Sequence, residues 1–193
     1  MFQVRIHGRG GQGVVTGAEM LSMTAFFEGR HAQAFPSFGS ERTGAPVVAF
    51  CRIADREIRL REPILKPDCL IVQDATLFKV IDVFAGVRSD GYLLVNTNKS
   101  FSELSIHEAA DRLPKGHAVI VPATEFALKH IGRPVPNAAL LGAFAALTQF
   151  VHIDSVKRAI EEAFPGKVGA ANTAAAADAY EFVLSQQHAA SAA

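Results

Sequence analysis

The sequence predicts a single α/β domain: Rossmann-like, with a mainly parallel sheet, an added antiparallel strand or hairpin, and a helical C-terminal third. Three observations predict it. Short apolar runs that read as strands alternate with helical or turn-rich stretches as far as Val121. Four glycines fall in the six positions Gly8 to Gly13, directly between the first strand pattern and a long helical one. From Asn137 onward the chain is rich in Ala and Leu and reads as helix.

In order, Phe2, Val4 and Ile6 alternate as a strand, and Val14 to Phe27 is helical with Gly29 as its stop. His31–Phe35 is short and extended, and Pro36 restricts Phe35 to that conformation. Residues 1 to 35 therefore read as a right-handed, parallel β–α–β unit. A loop follows, Pro36 to Pro46, and then a strong strand, Val47–Ile53. Ala54–Glu57 makes a turn, with Ile58–Leu60 expected to return as a hairpin.

Cys69–Val72 is apolar throughout and reads as a strand buried on both faces. Asp74 is placed to cap a helix carrying Leu77 to Val83. Tyr92–Asn96 and Ala118–Val121 are further strands, with a short helix between them over Ile106–Leu113. Helices are expected over Thr124–Ile131, over Asn137–Phe150, from an Asp154 cap to Phe164, and over Val168–Leu184, where Ala174 to Ala177 permit close packing. Residues 1–187 are read as one domain and 188–193 as a flexible tail.

Composition narrows the function. The 193 residues carry 19 basic and 19 acidic side chains, so no basic excess favours nucleic acid or an anionic membrane. A near-zero net charge suits a subunit of a larger assembly better than a free monomer. The two cysteines, Cys51 and Cys69, lack metal-ligand spacing and read as buried thiols, too few for an iron–sulfur cluster. No signal peptide or membrane-spanning run is apparent, and a cytoplasmic location is expected.

Gly8, Gly10 and Gly13 satisfy the dinucleotide fingerprint at the end of a strand and the start of a helix, where backbone N–H groups meet phosphate. A nicotinamide site also wants an acid at the end of the second strand, and none lies between Arg30 and Ser40. Gly13 is followed by Val14 rather than by the lysine of a nucleoside-triphosphate loop. Arg9, inside the turn, is a cation available to a phosphate. The candidate binding residues are Gly8, Arg9, Gly10, Gly11, Gln12 and Gly13, with Ser37, Phe38, Gly39, Glu41 and Arg42 from the second loop. His7 abuts the glycine loop and reads as a hydrogen-bonded structural histidine, and no catalytic constellation or metal-ligand set stands out. A free-standing NAD(P) oxidoreductase and a purely structural scaffold remain as alternatives.

The two loops together, Arg5-Ile6-His7-Gly8-Arg9-Gly10-Gly11-Gln12-Gly13-Val14-Val15-Thr16 and Ala32 to Pro46, resemble the gamma subunit of 2-oxoacid:acceptor oxidoreductases of the pyruvate:ferredoxin oxidoreductase type. Pro67-Asp68 and the Leu140–Ala143 stretch opened by Asn137 are similar to that family as well. The resemblance covers residues 2 to 185. It implies an oxidative decarboxylation on thiamine diphosphate, electrons leaving through iron–sulfur clusters, and an acyl group passed to coenzyme A. Thiamine diphosphate, Mg and [4Fe-4S] clusters would sit on partner chains of alpha, beta and delta type, with ferredoxin as acceptor, or NAD through a further FAD-bearing subunit. Pyruvate, or another 2-oxoacid such as phenylglyoxylate, would be the substrate. The Gly8–Gly13 loop would hold coenzyme A phosphates. The Ser37–Gly44 loop would face coenzyme A or the catalytic interface, with Arg42 as the matching cation. The chain alone would be inert.

Overall fold

The computed structural model describes residues 1–37 and 43–192, the last three of these by backbone only. Its strands are β1 (Phe2–Arg9), β2 (His31–Pro36), β3 (Pro46–Ala54), β4 (Cys69–Val72), β5 (Tyr92–Asn96) and β6 (Ala118–Val121). The helices are α1 (Val14–Phe27), α2 (His107–Asp111), α3 (Ala123–Ile131), α4 (Asn137–Thr148), α5 (Ile153–Ala163) and α6 (Lys167–Ala192). One sheet takes the order β2-β3-β1-β4-β5-β6.

β2 runs in the same direction as β1 but does not touch it. β3 lies between them, antiparallel to both, in register from Phe2↔Ile53 to Arg9↔Pro46 and from His31↔Ala54 to Pro36↔Ala49. The antiparallel strand expected on the sheet is therefore an interior one. Its partners are β1 and β2, and Ile58–Leu60, expected to pair with it, forms no strand. The physical reason is hydrogen bonding: β3 satisfies both of its edges inside the sheet, so a hairpin return has no edge to join.

The central strands are buried on both faces, as their unbroken apolar runs require. Cys69, Ile71 and Leu94 join Val4 and Ile6 against α1, α4, α5 and α6, while Leu70, Val72, Leu93 and Val95 form a second core with Leu77, Val83, Ile106 and Ala110. Asn137 to Leu147 of α4 are buried without a break, which places this helix at the centre of the first layer. Cys51 and Cys69 are buried free thiols. They pair with opposite sides of Val4, two strand spacings or roughly 10 Å apart, beyond disulfide reach.

The second face carries little helix. Ala75–Lys79 is a 3-10 turn rather than a helix reaching Val83, although Asp74 does cap it, accepting from the Thr76 N–H. The covering loops are held by two arginines. Arg5 on β1 donates to the carbonyls of Ile64 (3.3 Å), Val83 (2.9 Å) and Ala85 (2.7 Å), and Arg52 on β3 donates to those of Leu60 and Glu62. His152, not Asp154, is the N-cap of α5, and Asp154 sits in its first turn. α6 continues to Ala192, so the backbone of 188–192 is helical where a frayed tail was expected.

Asp178 on α6 cross-braces α3, its Oδ2 accepting from Lys129 Nζ at 2.6 Å and meeting His130 Nε2 at 2.7 Å. These bonds, His130 first and Lys129 second, hold the Asp178 carboxyl below its ordinary value. A depressed carboxyl stabilises the fold above its unfolded pKa, about 4, and that contribution disappears as pH falls through the lower folded value. Asp178→Asn is expected to lower the urea midpoint of the full chain at pH 7, with the difference from the parent shrinking as pH is lowered below about 4. Midpoints measured at both pH values check this.

Candidate functional site

The site lies at the carboxyl edge of the sheet, beside β1 and β4. The chain passes from β1 outward to β2 on one side, and later enters β4 on the other. That reversal is the switch point at which open α/β sheets bind ligands.

The glycine loop is shaped by two steric demands. Gly8 ends β1 against α1, and a Cβ there would stand 2.5 Å from Val14 Cγ2. Gly13, at φ +71°, is the N-cap of α1, and a Cβ there would meet Asn137 Nδ2 at 2.5 Å. Only glycine meets both requirements, a left-handed backbone and no side chain. Gly11, at φ +94°, faces open space. The first turn of α1 has neither a side-chain cap nor an acidic residue, so its N–H groups and the positive end of its dipole remain for an anion. Beside it is a cleft of ≈240 Å³ lined by Arg9, Gly10, Gly11, Gly13, Val14, Val15, Thr16 and Val47. This is smaller than the roughly 300–1,000 Å³ of a whole small-molecule pocket and suits one phosphate group of a larger ligand.

The second loop is tied to the first. Gly10 N–H donates to Ala45 O at 2.9 Å and Gly44 N–H to Gly10 O at 3.0 Å, and Gly10 bridges Thr43. Ser37 closes β2 by donating its N–H to Val48 O. Phe38, Gly39, Glu41 and Arg42 lie outside the described residues.

Residues 3–182 match the family pattern of pyruvate ferredoxin/flavodoxin oxidoreductase. The chain belongs to this family. It is 48% identical over 181 residues to the pyruvate/ketoisovalerate oxidoreductases common subunit gamma of Pyrococcus abyssi, covering 94% of this chain and 96% of that one. It is also 48% identical to the pyruvate synthase subunit PorC of Methanothermobacter marburgensis, over 94% of this chain and 97% of the relative. Among solved structures, the pyruvate oxidoreductase subunit PORC of Thermotoga maritima superposes with a TM-score of 0.76 at 36% identity, covering 93% and 95% of the two chains. The protein is thus a gamma subunit of a 2-oxoacid:ferredoxin oxidoreductase.

Within this gamma subunit, Arg9 and Gln12 have protein partners. Arg9 Nε lies 3.2 Å from Asp74 Oδ2, Nη2 donates to Thr76 Oγ1 at 2.8 Å, and Nη1 donates to Gly44 O at 2.9 Å. Gln12 accepts from the Arg9 N–H at 2.7 Å and donates to Asp74 Oδ2 at 2.9 Å. Burial alone would raise the Asp74 carboxyl. The hydrogen bonds from Thr76 and Gln12, with the Arg9 charge, outweigh burial and hold it below the usual carboxylate range. A cation in this turn therefore has a structural role, through partners distant in sequence.

Thr76 and Asn137 enter the site only through the fold, as does the pairing of Asp74 with Arg9. Asn137 Nδ2 donates to Gly13 O at 3.3 Å and its Oδ1 accepts from the Ala138 N–H. The available signal was position: Asp74 follows the apolar run of β4 by two residues, so it had to reach the same edge as Gly8. His7 faces the other way. It pairs with Val72 on the second face, is 6% exposed, and neither ring nitrogen has a hydrogen-bond partner among the described residues. The expected hydrogen-bonded histidine is therefore a buried, unpaired one. Burial, and next the Arg5 charge, lower its pKa to about 4, so it is neutral at pH 7. The strand beside β1 on the β2 side is antiparallel β3, whose carboxyl end lies at the opposite edge of the sheet. Among the described residues no helix is long and apolar enough to cross a membrane.

Proposed function

We propose that this gamma subunit supplies a phosphate cradle for coenzyme A in an enzyme that converts a 2-oxoacid, coenzyme A and an oxidised acceptor to an acyl-CoA, CO2 and the reduced acceptor. The observation that carries the reading is the uncapped, acid-free first turn of α1, opening on a small cleft at the switch point. Because Asp74 already matches the charge of Arg9, phosphate is held mainly by the N–H groups of Val14 to Thr16. The remainder of coenzyme A extends beyond this chain. The bond-making chemistry belongs to alpha, beta and delta-type partners holding thiamine diphosphate, Mg and [4Fe-4S] clusters. Pyruvate is the leading substrate, with phenylglyoxylate as an aryl alternative, and ferredoxin is the leading acceptor over NAD.

Thr16→Asp tests the cradle. An acid in the first turn favours the helix by roughly 0.3–1 kcal/mol, so the fold is expected to be as stable as the parent or slightly more so. The same carboxylate repels a phosphate a few Å away by about 3 kcal/mol per charge at an effective dielectric of 20. In the reassembled holoenzyme, with pyruvate as the 2-oxoacid, KM for coenzyme A should rise at least about tenfold. kcat at saturating coenzyme A should hold, and Thr16→Asn should behave like the parent. The Arg9–Asp74 pairing is the one observation that favours a purely structural subunit, and that reading predicts an unchanged KM for Thr16→Asp.

A further inference from the structure

We propose that Asp74 is a positioning residue for this cleft, acting through Arg9 to lock the return limb of the second loop, Thr43–Ala45, onto the glycine loop. The proposal rests on the coenzyme A reading above for what the cleft binds, and on geometry alone for the lock.

Three segments that are distant in sequence meet at the Arg9 guanidinium: the glycine loop, the limb at Gly44 and the turn after β4. Each of them supplies something the others need. Gly44 gives its carbonyl to Nη1 while its own N–H is used by Gly10 O, so the limb is held from both sides. Thr76 donates its hydroxyl hydrogen to Asp74 Oδ1 at 2.6 Å, which leaves the lone pairs of Oγ1 to accept from Arg9. The second carboxylate oxygen, Oδ2, takes Arg9 Nε and the Gln12 amide, and Gln12 in turn fixes the Arg9 N–H. Asp74 is thus the hub that orients Thr76, Gln12 and Arg9. Without it Thr76 loses its fixed hydroxyl, Gln12 loses its amide acceptor, and Arg9 loses its counter-charge.

A guanidinium suits this arrangement because its donors fan out in a rigid plane toward separate acceptors. A lysine offers three donors from a single nitrogen and cannot span the same set. Gly10 and Arg9, fixed by the lock, are also walls of the cleft, so releasing the limb changes the cleft itself.

The sign of the effect separates this role from direct phosphate binding by Arg9. If Arg9 were a phosphate ligand restrained by Asp74, then Asp74→Ala would free it and lower KM for coenzyme A, and Arg9→Lys would keep a KM near the parent's. A lock predicts the reverse. Asp74→Ala and Arg9→Lys should each raise KM several-fold with a smaller change in kcat, and the double variant should be no worse than the poorer single one. Hydrogen exchange on the full gamma chain supplies a readout independent of activity: the amides of Gly10 and Gly44 should exchange at least tenfold faster in both variants. Asp74→Asn, which retains the side-chain shape, serves if Asp74→Ala does not fold. Unchanged exchange, a lowered KM for Asp74→Ala, or an unmoved KM beside a raised one for Thr16→Asp would each overturn the proposal. Faster exchange with no KM response in any variant, Thr16→Asp included, would remove the coenzyme A reading and leave the lock standing.

Discussion

Gly142→Ala is expected to cost the subunit about 3 kcal/mol of stability, although glycine to alanine inside a helix normally gains about 1 kcal/mol. Gly142 sits in α4 where α6 crosses it. A Cβ there would lie 1.9 Å from Ala176 O, 2.6 Å from Ala176 C and 2.9 Å from its Cα. All three are backbone atoms of a helix, so no rotamer change relieves the overlap and the two helices must move apart. That movement opens gaps around Ala175, Ala176 and Ala179, each 0% exposed, in the layer that also packs on the sheet. For a chain of this length such a loss lowers Tm by roughly 6–12 °C. Calorimetry of the full chain checks this, and a Tm within about 2 °C of the parent would show that α4 and α6 are not packed this closely.

Arg5→Met is the second large effect, with an expected loss of about 2–4 kcal/mol. Arg5 is 7% exposed, and its guanidinium satisfies three carbonyls of the loops that cover the second face. Methionine fills similar space and removes a buried charge, which offsets part of the penalty. It leaves Ile64, Val83 and Ala85 without their donor, at about 1–3 kcal/mol for each carbonyl that water does not reach. Burial lowers the pKa of Arg5, with Asp82 pulling partly the other way, consistent with a cation held chiefly by dipoles. The damage should be local. Hydrogen exchange should quicken over residues 62–66 and 81–88 well before it does in α4, and uniform acceleration along the chain would contradict this placement.

Much of the fold was legible in the residues. The run Cys69–Val72 could be satisfied only as a strand buried on both faces, and it lies at the centre of the sheet, with Tyr92–Asn96, read as a further strand, beside it. The charge-poor stretch from Asn137 could only be a buried helix, and all of α4 but its last residue, Thr148, is buried. What could not be read was pairing. Nothing in Val47–Ile53 distinguishes an edge strand from one inserted between β2 and β1, because its apolar content serves both and only the competition for hydrogen-bonding edges decides. The covering loops were hidden for a related reason. Arg5 reads as an ordinary charged residue in a strand until three carbonyls from segments some sixty to eighty positions away converge on it.

The glycine loop divides in the same way. The residues alone showed a strand running into a helix through a glycine-rich turn, and at Gly8 the demand is local, from Val14 six positions on; at Gly13 the crowding comes from Asn137, 124 positions away, and needed the fold. The residues also determined the family, through two loops whose residues are contiguous. The role of Arg9 came from folding alone, because its partners Gly44, Asp74 and Thr76 lie 35, 65 and 67 positions away. A cation's role depends on which acceptor it reaches first. In this fold the Asp74 carboxylate beyond the adjacent strand reaches it, and the positive pole left without an acidic or side-chain partner beside the cleft is the first turn of α1.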